Sequence, residues 1–122
     1  MRILVTGSRD WTNGKVIQTA LLRAMLEHGA RTRAEVTVVH GACPSGADAI
    51  ADSMAKAMGI QVERYPADWE RYGRRAGFIR NDEMVKLGAD VCLAFIKDES
   101  KGATMCSRLA EDSGIRTVRY VE

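Results

Sequence analysis

Residues 3–28 read ILVTGSRDWTNGKVIQTALLRAMLEH and contain the clearest indication of the fold class. This stretch opens with a short β-rich run, Ile3 to Thr6, that ends at Gly7. Its second half, Lys15 to His28, has apolar residues at helical spacing: Val16, Ile17, Ala20, Leu21, Ala24 and Met25. The pattern predicts a strand, a polar connection that contains a glycine, and an amphipathic helix, which together form one βα unit.

The same alternation continues along the chain. Further strands are predicted at Val36–Val39, Val62–Tyr65, Val91–Ile96 and Thr117–Val121, and further helices at Ala47–Met58, Ala76–Leu87 and Thr104–Ser113. Five strands alternating with four helices predict an α/β protein, a three-layer α/β/α sandwich around a mainly parallel sheet. We expect one domain over residues 1–122, with its longest irregular segment between Pro66 and Gly77.

Composition and charge narrow the class of protein. The 122 residues are 46% hydrophobic and 28% charged with a net charge of +2, as in an ordinary globular domain without an obvious nucleic-acid charge signature. No apolar run is long enough to span a membrane, so no membrane partner is expected. Three cysteines without a C-x-x-C pair, and two isolated histidines, predict a reducing cytoplasmic location, no disulfides and no metal site.

Ligands of doubly wound sheets bind beyond the carboxyl ends of the strands, where four connections would meet. The first connection carries Gly7, Ser8, Arg9 and Trp11. Gly7 would let the backbone approach a phosphate, Ser8 and Arg9 would donate to it, and Trp11 would stack on a base or cover the pocket. The alternative is a polar turn with a tryptophan packed on the surface.

The second connection, residues 40–48, reads HGACPSGAD. Ser45 and Asp48 have the spacing of a capping box, which would account for both side chains. Asp48 could instead hold a ribose hydroxyl. His40 ends a strand and is interpreted as a satisfied core or edge histidine rather than a base. The candidate ligand-binding residues of this connection are Gly41, Gly46, Ala47 and Asp48.

The third and fourth connections offer further ligand-binding candidates. Residues 69–81 combine four arginines with aromatic residues, as phosphate and base recognition requires, although a solvated charged surface is the alternative. In the fourth connection a glycine and a hydroxyl residue precede a helix, which suits a phosphate or sugar, and Thr104 could alternatively be the helix cap. The candidates here are Trp69, Arg80, Asn81, Gly102, Ala103 and Thr104.

The joint order of these motifs resembles the SLOG superfamily, and in particular its small YspA-like branch from bacteria and phages. The resemblance covers nearly the whole chain and implies a Rossmann-like sheet with a pocket for a nucleotide or a nucleotide-derived ligand. Relatives include the Lonely Guy phosphoribohydrolases and the single-stranded-DNA-binding DNA-processing protein A family, and many members are thought to be ligand sensors. The motifs that carry the resemblance are Thr6–Arg9, His40–Gly41, Gly46–Asp48, Ala67–Trp69, Ala76–Gly77, Arg80–Asn81, Met84, Gly102–Ala110 and Gly114–Ile115.

One departure from the hydrolase pattern bears on activity. The hydrolase relatives carry P-G-G-x-G-T-x-x-E, but here Ala103 stands at the threonine and Cys106 at the glutamate. We therefore expect nucleotide binding, as in a sensor, with N-glycosidic hydrolysis through Asp48 or Asp10 as the alternative and single-stranded DNA binding as a further one. Folds of this kind commonly pair through helices, so a homodimer or higher homo-oligomer is expected, without a cofactor.

Overall fold

The computed structural model describes residues 1–122. Its five strands are β1 (Arg2–Gly7), β2 (Thr37–His40), β3 (Gln61–Arg64), β4 (Val91–Ile96) and β5 (Arg116–Val121). They form one sheet in the order β3-β2-β1-β4-β5, and every neighbouring pair is parallel. The helices are α1 (Gly14–His28), α2 (Gly46–Ala57), α3 (Trp69–Tyr72), α4 (Ala76–Leu87) and α5 (Lys101–Asp112). The predicted Rossmann-like α/β fold is confirmed.

Alternating side chains of the central strand build a core on each face of the sheet. Ile3 and Val5 of β1 belong to a buried cluster that includes residues of α1 and α2. Leu4, between them, belongs to a second cluster with Met84 of α4 and Cys106 of α5. Strands that are covered on both faces need apolar residues at nearly every position, which explains the continuous hydrophobic run of β4.

Two predictions differ from the structure by more than one residue at an end. The segment between Pro66 and Gly77 contains the short helix α3, whose N-terminus is capped by Asp68: its carboxylate accepts from the Arg71 N–H at 3.1 Å. Helix α5 begins at Lys101, three residues before the predicted start. Thr104 is therefore not the cap: its N–H and its hydroxyl both donate to the carbonyl of Ser100, so helical bonding already starts there.

The strand order places the candidate site. Starting from β1, the chain moves outward to β2 and β3, and then returns to the other side of β1 for β4 and β5. The connections after β1 and β4 consequently leave the sheet in opposite directions, and sheets of this kind bind their ligands at the carboxyl edge near such a point. No helix has both the length and the apolar character that a membrane crossing would need.

Candidate functional site at the carboxyl edge

Ser8 ties the first connection to the end of β4. Its backbone N–H donates to the Phe95 carbonyl at 2.9 Å. Its buried hydroxyl accepts from the Lys97 N–H at 2.8 Å and donates to the Lys97 carbonyl at 3.2 Å. Because this hydroxyl has one proton, it is not free to donate to a phosphate. Ser8 is a structural bridge across the switch point rather than the ligand donor that the sequence suggested.

Two glycines bring the first and second connections together. A Cβ at Gly7 would overlap the Ala47 side chain and lie 2.9 Å from the Phe95 carbonyl oxygen. A Cβ at Gly46, where φ is +73°, would overlap the Ser8 carbonyl. The Ala47 N–H donates to that same carbonyl at 3.2 Å. Gly7, Gly46 and Ala47 thus serve contact between the two connections, and the Ala47 N–H is not open to an anion.

Trp11 is a core residue. It is 2% exposed, its indole N–H donates to the Asn13 carbonyl at 2.9 Å, and its ring lies 5.5 Å from the Phe95 ring. The expectation that Trp11 stacks on a base is therefore corrected, because both its ring and its donor are already engaged in the fold. Arg9 and Asp10 beside it are exposed and form no ion pair, so they remain ligand candidates without a built environment.

Arg80 is seated against the second connection. Its Nη1 donates to the carbonyl of Gly41 and, at 3.4 Å, to that of Tyr65. Its Nε donates to Oδ1 of the buried Asn81 at 2.8 Å. A Cβ at Gly41 would lie 2.6 Å from the Arg80 Cζ, so the guanidinium needs a glycine beneath it. These contacts fix the guanidinium while its Nη2 makes no hydrogen bond within the protein.

Asp48 in the first turn of α2 is 7% exposed. Its Oδ2 accepts from the Cys43 N–H at 3.4 Å, whereas its buried Oδ1 has no hydrogen-bond partner. Ser45 holds the N-cap position, but its hydroxyl donates to the Arg9 carbonyl at 3.0 Å. The predicted capping box is therefore absent. Burial raises the pKa of the Asp48 carboxyl above its ordinary value.

The side chains of Asp48, Arg80 and Cys106 converge from three different helices. The charge of Arg80 acts on Asp48, yet the two do not form an ion pair. Cys106 is buried beside Thr6, within range of both charges. Burial raises the pKa of the Cys106 thiol, so it stays neutral and cannot replace a catalytic carboxylate. The cleft thus offers one buried acid, one cation and no second carboxylate.

His40 supports the second connection from below. Its Nδ1 accepts from the Ala42 N–H at 2.9 Å, which leaves the ring proton on Nε2 to be donated to Asp52 at 2.6 Å. Asp52 also pairs with Arg64 at 2.7 Å and Lys56 at 3.2 Å. The interpretation of His40 as a satisfied histidine is confirmed. Sequence reasoning missed Asp52, although its place one turn after Asp48 on α2 was a usable signal.

The fourth connection is split between two surfaces. Gly102 is exposed and Ala103 is buried against the sheet. Thr104 lines a groove of about 830 Å³ between α5 and β5, whereas Cys106 belongs to the buried cluster with Leu4 and Met84. The structure therefore does not bring Thr104 together with Asp48. No group of three His, Cys, Asp or Glu residues has an arrangement that could hold a metal ion.

Trp69 lies on α3, half exposed, next to the N-terminal end of α4. Its ring atom Cη2 is 3.5 Å from the position of a Cβ on Gly77, one helical turn before Arg80. Trp69 therefore packs beside the start of the helix that also carries Arg80 and Asn81.

Comparison with known proteins bears on the family of this chain. A family model described as the YspA, cpYpsA-related SLOG family matches residues 1–72. The Gene 61 protein of Mycobacterium phage D29 is 40% identical over 124 residues, spanning 98% of this chain and 95% of the phage protein. No solved structure matches the chain. The matched residues include the first and second connections and Trp69, and the chain belongs to the YspA, cpYpsA-related SLOG family.

Proposed function

We propose that the protein binds a nucleotide or a nucleotide-derived small molecule in the cleft between Asp48 and Arg80, as a ligand sensor would. Membership in the SLOG family favours a nucleotide-related role. The observation that carries the proposal is the unpartnered, buried Oδ1 of Asp48. A buried acceptor without a donor is costly, and native proteins keep such groups where a ligand or a water completes the bonding.

The chemistry of the two side chains fits a sugar phosphate. The carboxylate of Asp48 accepts hydrogen bonds only, so it selects a hydroxyl or amine donor such as a ribose hydroxyl. The free Nη2 of Arg80 is a donor that selects an acceptor such as a phosphate oxygen. Because the two groups do not neutralise each other, one ligand that carries a donor beside an anion can satisfy both.

Hydrolysis of an N-glycosidic bond is the second candidate, and the raised pKa of the buried Asp48 carboxyl favours it. A carboxyl that holds its proton closer to neutral pH can protonate a departing base. Asp10 is the weaker acid candidate because it is exposed. The neutral thiol of Cys106 leaves the cleft without a second carboxylate to stabilise the developing positive charge, so we place binding before turnover.

Calorimetric titration tests the proposal directly. The protein is titrated with the four nucleoside 5′-monophosphates, their 2′-deoxy forms and ribose 5-phosphate. We expect Asp48→Asn to weaken binding about 10- to 100-fold, the value of a hydrogen bond to a charged group. The matched control is Asp82→Asn, an acidic residue of α4 that pairs with Lys86 on the surface.

The same samples separate binding from turnover. Base release, followed by chromatography, would move hydrolysis to first place if it occurs and is lost in Asp48→Asn. Ligand binding without base release supports the sensor. Absence of binding by every ligand of the panel, or equal affinity of wild type and Asp48→Asn, would contradict the proposal.

A further inference from the structure

Aromatic and cationic side chains share one exposed surface, which we call the aromatic–arginine surface and define as residues 69–78. Trp69, Tyr72 and Phe78 are 50%, 38% and 47% exposed. The Arg71 guanidinium lies over the Tyr72 ring at 5.1 Å. Exposed aromatic residues gathered in one place usually mark a binding surface rather than a folding requirement.

Positive charges outnumber negative charges in residues 66–80, the range that contains the aromatic–arginine surface. Four arginines stand against two acidic residues between positions 66 and 80, although the net charge of the whole chain is only +2. None of Arg71, Arg74 and Arg75 forms an ion pair, whereas Arg2, Arg64, Arg116 and Arg119 all do. Unpaired arginines beside aromatic rings fit an anionic ligand with a planar group.

This surface lies next to the helix that carries Arg80. The Trp69 ring lies against α4 at Gly77, and Arg80 follows three positions later on the same side of that helix. Arg80 in turn rests on Gly41 at the base of the cleft. Trp69 therefore contacts α4 about one helical turn before Arg80.

We propose that Trp69 provides the base-stacking platform of the same cleft, so that the ligand is a base-bearing nucleotide rather than a bare sugar phosphate. The inference rests on the proposed function and adds that the site distinguishes ligands with a base from ligands without one. The flat indole covers one face of the base, and Arg74 and Arg75 add positive charge for phosphates. Asp48 and Arg80 hold the ribose and the phosphate.

The experiment compares ligands with and without a base. Wild type, Trp69→Ala, Trp69→Phe and Leu26→Ala are titrated with nucleoside 5′-monophosphates and with ribose 5-phosphate. Leu26 is the matched control, since it is an apolar residue that is 82% exposed in the last turn of α1, at the opposite edge of the sheet. Tryptophan emission gives a second readout, because Trp11 is buried and Trp69 is the exposed one of two.

We expect Trp69→Ala to weaken nucleotide binding roughly 5- to 100-fold, in line with measured stacking of bases on aromatic rings. Ribose 5-phosphate should bind with unchanged affinity, Trp69→Phe should keep most of the nucleotide affinity, and Leu26→Ala should match wild type. Nucleotides, but not ribose 5-phosphate, should quench the emission of wild type.

Other binding patterns would overturn different parts of the inference. Equal affinity of wild type and Trp69→Ala for nucleotides, or an equal loss for both ligand types, overturns the stacking platform and leaves the cleft itself standing. Failure of every mononucleotide and of ribose 5-phosphate to bind overturns the proposed function. Salt-sensitive binding of an oligothymidylate that requires Trp69, with no mononucleotide binding, would instead assign this surface to single-stranded nucleic acid.

Discussion

Replacing Asp48 with asparagine should make the ligand-free protein more stable while it removes ligand affinity. The Asp48 carboxylate is 7% exposed and its Oδ1 has no partner. An unpartnered buried polar group costs about 1–3 kcal/mol, and a charged one costs more. Asparagine keeps an acceptor for the Cys43 N–H and removes the buried charge. Its amide still lacks a partner, so we expect a net gain of about 1 kcal/mol, or roughly 4 °C in Tm.

The pH dependence identifies the cause of this gain. Burial raises the pKa of Asp48 in the folded protein above its value of about 3.9 in the unfolded chain. Between these two values the native state binds more protons than the unfolded state, so the Asp48 contribution to stability falls as pH rises. The asparagine variant does not titrate there. The difference in free energy of unfolding between Asp48→Asn and wild type should be smallest near pH 3. It should grow as pH rises from the unfolded to the folded pKa of Asp48 and stay constant above the folded pKa.

Urea unfolding at several pH values, with the free energy extrapolated to water, measures both quantities. Asp82→Asn is again the control, because that carboxylate is on the surface and paired with Lys86. An Asp48→Asn variant that is less stable than wild type at pH 7 would refute the assignment of a buried, unpaired charge. A stability difference that does not change between pH 3 and pH 7 refutes it equally, since an uncharged effect would then be responsible.

Three further predictions concern the frame around the cleft. Gly46→Ala should lower the free energy of unfolding by about 2–4 kcal/mol, because the new Cβ overlaps the Ser8 carbonyl at a residue with positive φ. Gly102→Ala places its Cβ in open space and should be neutral or stabilise the protein by up to about 1 kcal/mol. Denaturant unfolding of the two variants checks both values. Ser8→Ala should lower the free energy of unfolding by about 1–3 kcal/mol, because the Lys97 N–H loses its acceptor. Calorimetric melting of the variant and wild type measures this loss. Asp52→Asn should destabilise at pH 7 and somewhat less at pH 3: the ion pairs of Asp52 hold its folded pKa well below the unfolded value, so most of the stabilisation remains at pH 3 and is lost only as pH falls through the folded pKa. Unfolding at both pH values checks this.

The long elements were predictable from the sequence, whereas the shortest helix was not. Val91–Ile96 is apolar throughout and has the predicted bounds, because a central strand covered on both faces leaves no room for polar side chains. Ala76–Leu87 also has its predicted bounds. The short helix at Trp69–Tyr72 was missed because four residues carry no period, although the capping aspartate before it was visible in the sequence.

The site was less predictable than the fold because glycines and small polar residues have several uses. The pattern that suggests a phosphate loop at Gly7 and Ser8 is equally suited to a close backbone approach, and the structure uses it to lock two connections together. Trp11 illustrates the same limit, since a tryptophan next to a glycine turn can face a ligand or the core. Only the three-dimensional contacts decide between such uses.

The hydrogen bonds of these connections set Asp48 apart from its neighbours. Ser8 and His40 in the first two connections have their hydrogen-bonding capacity satisfied within the protein. Asp48 alone among the buried polar side chains has an atom without a partner. The nearby Ser45 does not supply the missing hydrogen bond, because its hydroxyl donates to the Arg9 carbonyl. Under the proposed function a ligand supplies the missing bond at Asp48, so stability and binding should change in opposite directions at this residue.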